Sequence, residues 1–236
     1  MVNLPVFNSK EIYKVHPTKI IALGLNYHSH IKESSSINTK AAINEIPKEP
    51  ILFSKTPNVL IGHEEKIIIP KFLKEYNFEN IRVDYEAELA LIIKDKCKNI
   101  SREKAYDHIL GYTCMNDVSQ RDIQFLDKAG WFRGKSLDTF GPIGPILVLN
   151  EDIKDPQDLH IRCKLNNNIV QDSNTKYMIF SIPEIIEFVS KNFTLEKGDI
   201  ILTGTPSGVG PLNNGDIIEV DIENIGILRN SVVTEQ

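Results

Sequence analysis

In the stretch RVDYEAELALII (residues 82–93), Asp84, Glu86 and Glu88 alternate with Val83, Tyr85, Ala87 and Leu89. Successive side chains of an extended strand point to opposite faces, so this period of two predicts a strand with one apolar face and three carboxylates along the other. Clustered carboxylates repel one another unless a proton or a cation compensates. Two readings follow: a strand offering hard oxygen ligands to a divalent metal, and an edge strand whose acidic face is solvated. This stretch alone does not choose between them.

Other short apolar runs predict further strands at 19–27, 50–55, 66–70, 144–149, 199–204 and 216–233. Residues 160–170 read as a hairpin turning at Asn166 and Asn167. Helical patterns are fewer. Residues 101–110 open on Ser101 as an N-cap, with Glu103 in the first turn. Residues 181–193 carry an early Pro183 and apolar Ile185, Ile186, Val189 and Phe193. A short helix is expected over 119–130, ending at Gly130. Strands do not alternate regularly with helices, which argues against a doubly wound or TIM-type arrangement and predicts a β-rich α+β fold. Residues 32–49 are polar and poorly periodic and read as a long loop of the kind that often forms a lid.

Composition narrows the partners. The 236 residues carry a net charge of −5, with 41% hydrophobic and 25% charged residues, as in ordinary globular proteins. No basic bias points to nucleic acid or to a membrane surface. Cys97, Cys114 and Cys163 are odd in number and lack CxxC spacing, which argues against a disulfide framework and a zinc site. No run approaches the length of a membrane span, and the N-terminus has no signal-peptide pattern, so a cytoplasmic protein is expected.

Four segments could carry chemistry. Asp117 in CMNDVSQRD would complete an oxygen site with the acidic strand for Mg2+, with Mn2+ or Ca2+ as alternatives; it also suits the N-cap of the 119–130 helix. His30 and Glu33 lie three apart in GLNYHSHIKES and share a face if the chain is helical there. They read either as an oriented general base or as a surface pair, with His28 structural or exposed. Lys135, in the turn-rich FRGKSLDTFGPIGP, would stabilise developing negative charge or would simply be solvated. The glycine-rich LTGTPSGVGP lacks the ending of a P-loop. It suits close backbone approach to a small anion, with Thr205 as a donor.

Taken in order, GLNYHSHIKE, FSKTPNVLIG, DYEAELALII, GYTCMNDVSQRD, GKSLDTFGPIGP, YMIFSIPEII and GDIILTGTPSGVGP resemble the fumarylacetoacetate hydrolase family, especially its compact members related to acylpyruvate hydrolases and 2-hydroxyhepta-2,4-diene-1,7-dioate isomerases. The resemblance spans about residues 18–230. It implies rolled mixed sheets around a metal and a homodimer. It further implies an N-terminal extension over 1–17, and one catalytic domain over 18–236 with a lid at about 28–48. Carried over by motif, Glu86, Glu88 and Asp117 become metal ligands, leaving Asp84 as a supporting or strand-end residue. His30 and Glu33 become the water-activating pair, Lys135 the charge stabiliser, and Arg121, Gln124 and Thr205 the contacts to a small dicarboxylate or dioxo acid. Gln120, Leu137 and Thr56–Asn58 depart from the family pattern and leave the substrate pocket open.

The implied reaction is hydrolysis of a C–C bond in a 3-acylpyruvate-like acid, with a pyruvate enolate as leaving group. Oxaloacetate decarboxylation or dienedioate isomerisation at the same metal is the alternative. A non-catalytic binder would show a broken ligand set, and the sequence shows none.

Overall fold

The computed structural model describes residues 2–31, 46–128 and 130–236. The strands open with a hairpin of β1 (Asn3–Pro5) and β2 (Ile12–Lys14), then β3 (Ile20–Gly24), β4 (Ile51–Lys55), β5 (Leu60–Ile61) and β6 (Lys66–Ile69). The acidic stretch forms β7 (Val83–Tyr85) and β8 (Ala87–Ile93), ahead of β9 (Ile109–Asn116), β10 (Ser119–Gln120) and β11 (Gly141–Leu149). A further hairpin, β12 (His160–Leu165) and β13 (Asn168–Asn174), precedes β14 (Ile200–Leu202), β15 (Gly210–Pro211), β16 (Ile217–Ile222) and β17 (Gly226–Thr234). Among the described residues, the helices are α1 (Arg121–Leu126), α2 (Phe132–Lys135) and α3 (Ile182–Asn192), and residues 28–31 are also helical. The fold is therefore β-rich α+β, as the strand pattern predicts.

The largest sheet runs β4-β3-β14-β8-β9-β11-β5 and a second runs β13-β12-β16-β17-β6. Most neighbours are antiparallel, while β3 and β14, β5 and β11, and β6 and β17 pair in parallel. Strand β8 sits at the centre of the large sheet and every one of its residues is buried. Leu89, Leu91 and Ile93 enter one core with Cys114, Ile161, Val220 and the apolar face of α3. Ala90 and Ile92 enter a second with Leu4, Ile20, Met115 and Leu202. A strand covered on both faces reads as a near-continuous apolar run, which accounts for AELALII. The solvated edge strand is thus excluded: Asp84, Glu86 and Glu88 are all buried.

The expected single strand over 82–93 breaks at Glu86. Strand β7 belongs to a different, three-stranded sheet, β10-β7-β15, and the neighbouring strand breaks at the same level between β9 and β10. There Ala87 pairs with Asn116, Ser119 pairs with Asp84, and the Asp117 N–H donates to the Glu86 carbonyl at 2.9 Å. Glu86 and Asp117 therefore occupy the corner where two adjacent strands change sheet.

Local signals explain the helices. Ser181 and Glu184 close a capping box on α3. An 11-residue helix is marginal alone, and Ile182, Ile185, Ile186 and Val189 are fully buried, each worth about 1.5–3 kcal/mol. Residues 102–108 form a 3-10 rather than an α-helix, and Ser101 makes no capping bond to the backbone. The helix expected over 119–130 is shorter, Arg121–Leu126, because Ser119 and Gln120 are engaged as β10. Its N-cap is Gln120, whose side-chain oxygen accepts from the Ile123 N–H at 2.6 Å; Asp117 plays no part in capping. The Asn166–Asn167 turn forms as expected, both residues having positive φ. Within the N-terminal extension, Val2, Leu4, Val6 and Val15 pack into the second core.

Candidate metal and substrate site

Oxygen atoms of Glu86, Glu88 and Asp117 all lie within 4.8 Å of one another and all three residues are buried. Cations surround two of them. Lys135 Nζ donates to Glu86 Oε2 at 2.8 Å and to Asp117 Oδ2 at 2.5 Å. Lys55 Nζ donates to Asp117 Oδ1 at 2.6 Å and to the Val118 carbonyl at 3.2 Å. Arg121 Nη2 donates to Glu86 Oε1 at 2.5 Å and its Nε to Asp84 Oδ2 at 2.8 Å. Asp84 is also held by Arg82 Nε at 2.9 Å.

Glu88 differs. Its Oε2 accepts the Gly204 N–H at 2.7 Å, while Oε1 is buried with no hydrogen-bond partner among the described residues. Burial, then the charges of Asp117 and Glu86, push its carboxyl well above the usual carboxylate range. Glu86 goes the other way: burial would raise it, but Lys135 and Arg121 together hold it well below that range. An unpartnered buried carboxylate oxygen costs several kcal/mol if ionised, or else takes a proton. A divalent cation meets that need, and three carboxylates with no nitrogen or sulfur ligand are the donor set of a hard ion. These residues fit a divalent metal.

The two lysines are also unlike each other. Lys135 stays a firm ammonium: burial opposes the charge, but Asp117 and Glu86 outweigh it and raise its pKa. Lys55 is fully buried, and burial, together with the charge of Lys135, lowers it despite Asp117. Lys135 reaches the carboxylates because Gly134 lets α2 pack tightly: a Cβ there would lie 2.7 Å from the Gln120 carbonyl. At Gly204 the positive φ of 93° aims the backbone N–H at Glu88. The glycine-rich loop thus brings its backbone up to a protein carboxylate, where the sequence suggested a small anion.

Above the carboxylates lies a cavity of about 500 Å³. His30, Glu86, Glu88, Arg121, Gln124, Lys135 and Thr205 line it, with Phe53, Trp131 and Leu25 among its apolar walls. Residues 28–31 are helical, with His28 exposed and His30 buried. Glu33, with most of the expected lid, lies outside the described residues. Arg121 Nη1 donates to Gln124 Oε1 at 3.0 Å. Thr205 Oγ1 accepts from Gln171 Nε2 at 2.8 Å, which leaves its own proton free to donate to a ligand. Asp117 is not exposed to the cavity wall but lies behind it, between the lysines.

Sequence reasoning missed several contributors. Lys55 ends the apolar run PILFSK, a position that suggests a strand terminus rather than a buried cation. Gln171 is 84 residues from Ala87, whose N–H it accepts at 3.0 Å, while also holding Thr205. Nothing in the local pattern marks it. Gln120, which departs from the family pattern, does not line the cavity; it caps α1 and donates to Asp122 at 2.8 Å. Leu137 packs against the core, and Asn58 ties its turn to Asp138 at 2.6 Å.

Comparison with known proteins places these residues in context. The fumarylacetoacetate (FAA) hydrolase C-terminal family matches residues 19–233. An uncharacterized protein of Methanocaldococcus jannaschii is 50% identical over 97% of this chain and 89% of its own length. The oxaloacetate tautomerase YisK of Bacillus subtilis is 42% identical over 92% of this chain and 70% of its own length. The crystal structure of fumarylpyruvate hydrolase from Pseudomonas aeruginosa in complex with Mn2+ and pyruvate superposes with a TM-score of 0.85. The identity is 26%, covering 99% of this chain and 96% of that one.

Proposed function

The chain belongs to the fumarylacetoacetate hydrolase C-terminal family, and we propose that it is a divalent-metal-dependent enzyme whose reaction passes through the enolate of a short 2-oxo acid, with oxaloacetate the first candidate substrate. The carrying observation is the unpartnered Glu88 Oε1 beside Glu86 and Asp117, at the floor of a cavity fringed with cations. When bound by these three carboxylates, a divalent ion supplies Lewis acidity and a template for a 2-oxo carboxylate.

The chain's own groups supply the rest. Lys135, fixed by Glu86 and Asp117, keeps a positive charge next to the place where an enolate oxygen would develop. Arg121, anchored on Asp84 and Glu86, and the outward proton of Thr205 orient a carboxylate. Phe53, Trp131 and Leu25 give the cavity apolar walls, and a lower local dielectric strengthens each of these interactions. The likeness to an oxaloacetate tautomerase favours proton transfer between keto and enol forms over bond cleavage. The ion is taken as Mg2+ or Mn2+, and the assembly as a homodimer, which light scattering on the purified protein checks.

A second reading, hydrolysis of a 3-acylpyruvate-like acid, is favoured by His30, which lines the cavity as a water-activating base would. Both are tested together. Metal-loaded protein should accelerate loss of the ultraviolet absorbance of enol-oxaloacetate, and Lys135→Met should lower kcat by about 10²–10³, the scale of a lost oxyanion donor. Cleavage of acetylpyruvate that is abolished by His30→Asn would instead establish the hydrolase. Absence of metal-dependent turnover of either compound would refute both.

A further inference from the structure

The wall of the cavity holds one more cation than its hydrogen bonds require. Arg82 lies just ahead of β7 and lines the cavity beside Asp84. Its Nε is engaged by Asp84, at 2.9 Å to Oδ1 and 3.2 Å to Oδ2. Its two terminal nitrogens have no partner among the described residues, and the side chain is 37% exposed. Asp84 does not need it, because Arg121 Nε already donates to Oδ2 at 2.8 Å.

We propose that the free edge of the Arg82 guanidinium binds the second carboxylate of the substrate and so selects dicarboxylic 2-oxo acids over monocarboxylic ones. The proposal rests on the 2-oxo acid reading above and adds to it the group that reads the far end of the substrate.

Charge balance leads to the same class. Asp84, Glu86, Glu88 and Asp117 face Arg82, Arg121, Lys135 and Lys55, four anions against four cations. A divalent ion then leaves the site doubly positive, and a dianion cancels it where a monoanion does not. The rim agrees. Asp127, the other acid lining the cavity, is taken by Arg133 at 2.6 and 3.0 Å, whereas Lys128 beside it has no ion pair among the described residues. The connection is physical as well: Arg82, Asp84, Arg121 and Glu86 form one chain of hydrogen bonds from the rim to the metal ligands. A guanidinium edge suits a carboxylate through two parallel N–H donors, which an ammonium cannot offer.

Trp131 is the single tryptophan of the chain and lines the same cavity, so its fluorescence reports binding. The experiment is stopped-flow titration of the Mn2+-loaded protein with fresh oxaloacetate and with pyruvate, which lacks the second carboxylate. Wild-type protein should prefer oxaloacetate by at least about tenfold, the scale of a hydrogen bond to a charged group. Arg82→Gln should bring that ratio close to one, and Arg82→Lys should keep part of it. A wild-type ratio near one, or an Arg82→Gln variant that weakens both ligands equally, overturns the assignment of Arg82 while leaving the 2-oxo acid site standing. Failure of pyruvate itself to bind the Mn2+-loaded protein overturns that site, and this proposal with it.

Discussion

Two clusters of metal-ligating side chains come together within 4.8 Å in the described residues, and they are built on opposite terms. Glu86, Glu88 and Asp117 are buried at a sheet corner; beyond the end of β8, Asp95 is exposed and His108 half-buried over a buried Cys97. The second cluster satisfies itself. His108 Nδ1 and Asp95 Oδ1 pair at 2.6 Å, and the Cys97 thiol, pushed up to about 11 by burial and then by Asp95 and Asp199, stays protonated. In the first cluster Lys55, Lys135 and Arg121 meet the charges of Asp117 and Glu86, but one oxygen of Glu88 has no hydrogen-bond partner among the described residues. Nearness of ligands is common to both. The unmet electrostatic demand belongs to one, and that separates a candidate metal site from a self-satisfied pair.

The sharpest way to break this comparison is to remove Glu88. Even outer-shell changes typically cost 10–100-fold in metal affinity, so Glu88→Gln should weaken Mn2+ binding by at least about 100-fold in calorimetric titration. Cys97→Ser with His108→Ala should leave that affinity within about twofold. Equal losses in the two variants would remove the distinction.

Stability without metal should respond in the opposite direction. A carboxyl whose pKa is raised in the folded state opposes folding as it ionises. The penalty is absent below the unfolded value of about 4.3 and complete above the folded one. Metal-free wild-type protein should therefore lose stability relative to Glu88→Gln as pH rises from about 4.3 toward neutrality, by about 1–3 kcal/mol. Denaturant melts of both proteins at several pH values check this; a difference independent of pH contradicts it. Mn2+ at about 100 times its Kd should add about 2.7 kcal/mol to the wild type alone, a rise of about 5–10 °C in Tm.

The smallest effect belongs to the surface cluster. Asp95→Asn should change stability by less than about 1 kcal/mol, because the Asp95–His108 pair is partly exposed and screened. A larger loss would mean that this cluster is load-sharing with the core through Cys97.

Local signals were legible where the chain satisfies them by itself: the Asn166–Asn167 turn and the helix with its early Pro183 both form, whereas the alternation through 82–93 predicts one strand and the chain breaks at Glu86 into β7 and β8. The helix after Asp117 was read too long, because Ser119 and Gln120 look helical locally and are claimed by pairing with β7. The alternation placed Asp84, Glu86 and Glu88 on one face but could not say whether water or protein covered it. That depended on β14, distant in sequence, pairing beside β8 and on the two cores that cover its faces.

Composition and pattern by themselves therefore determined a β-rich chain, the shared face of the carboxylates and, through ordered motifs, the family. Tertiary structure alone decided that the strand breaks at Glu86 and that Asp117 meets it from the neighbouring break. It also decided that Lys55 turns inward and Gln171 holds Thr205 from across the molecule. The reason is physical. Periodicity encodes which side of one strand is buried, whereas charge compensation depends on which strands become neighbours.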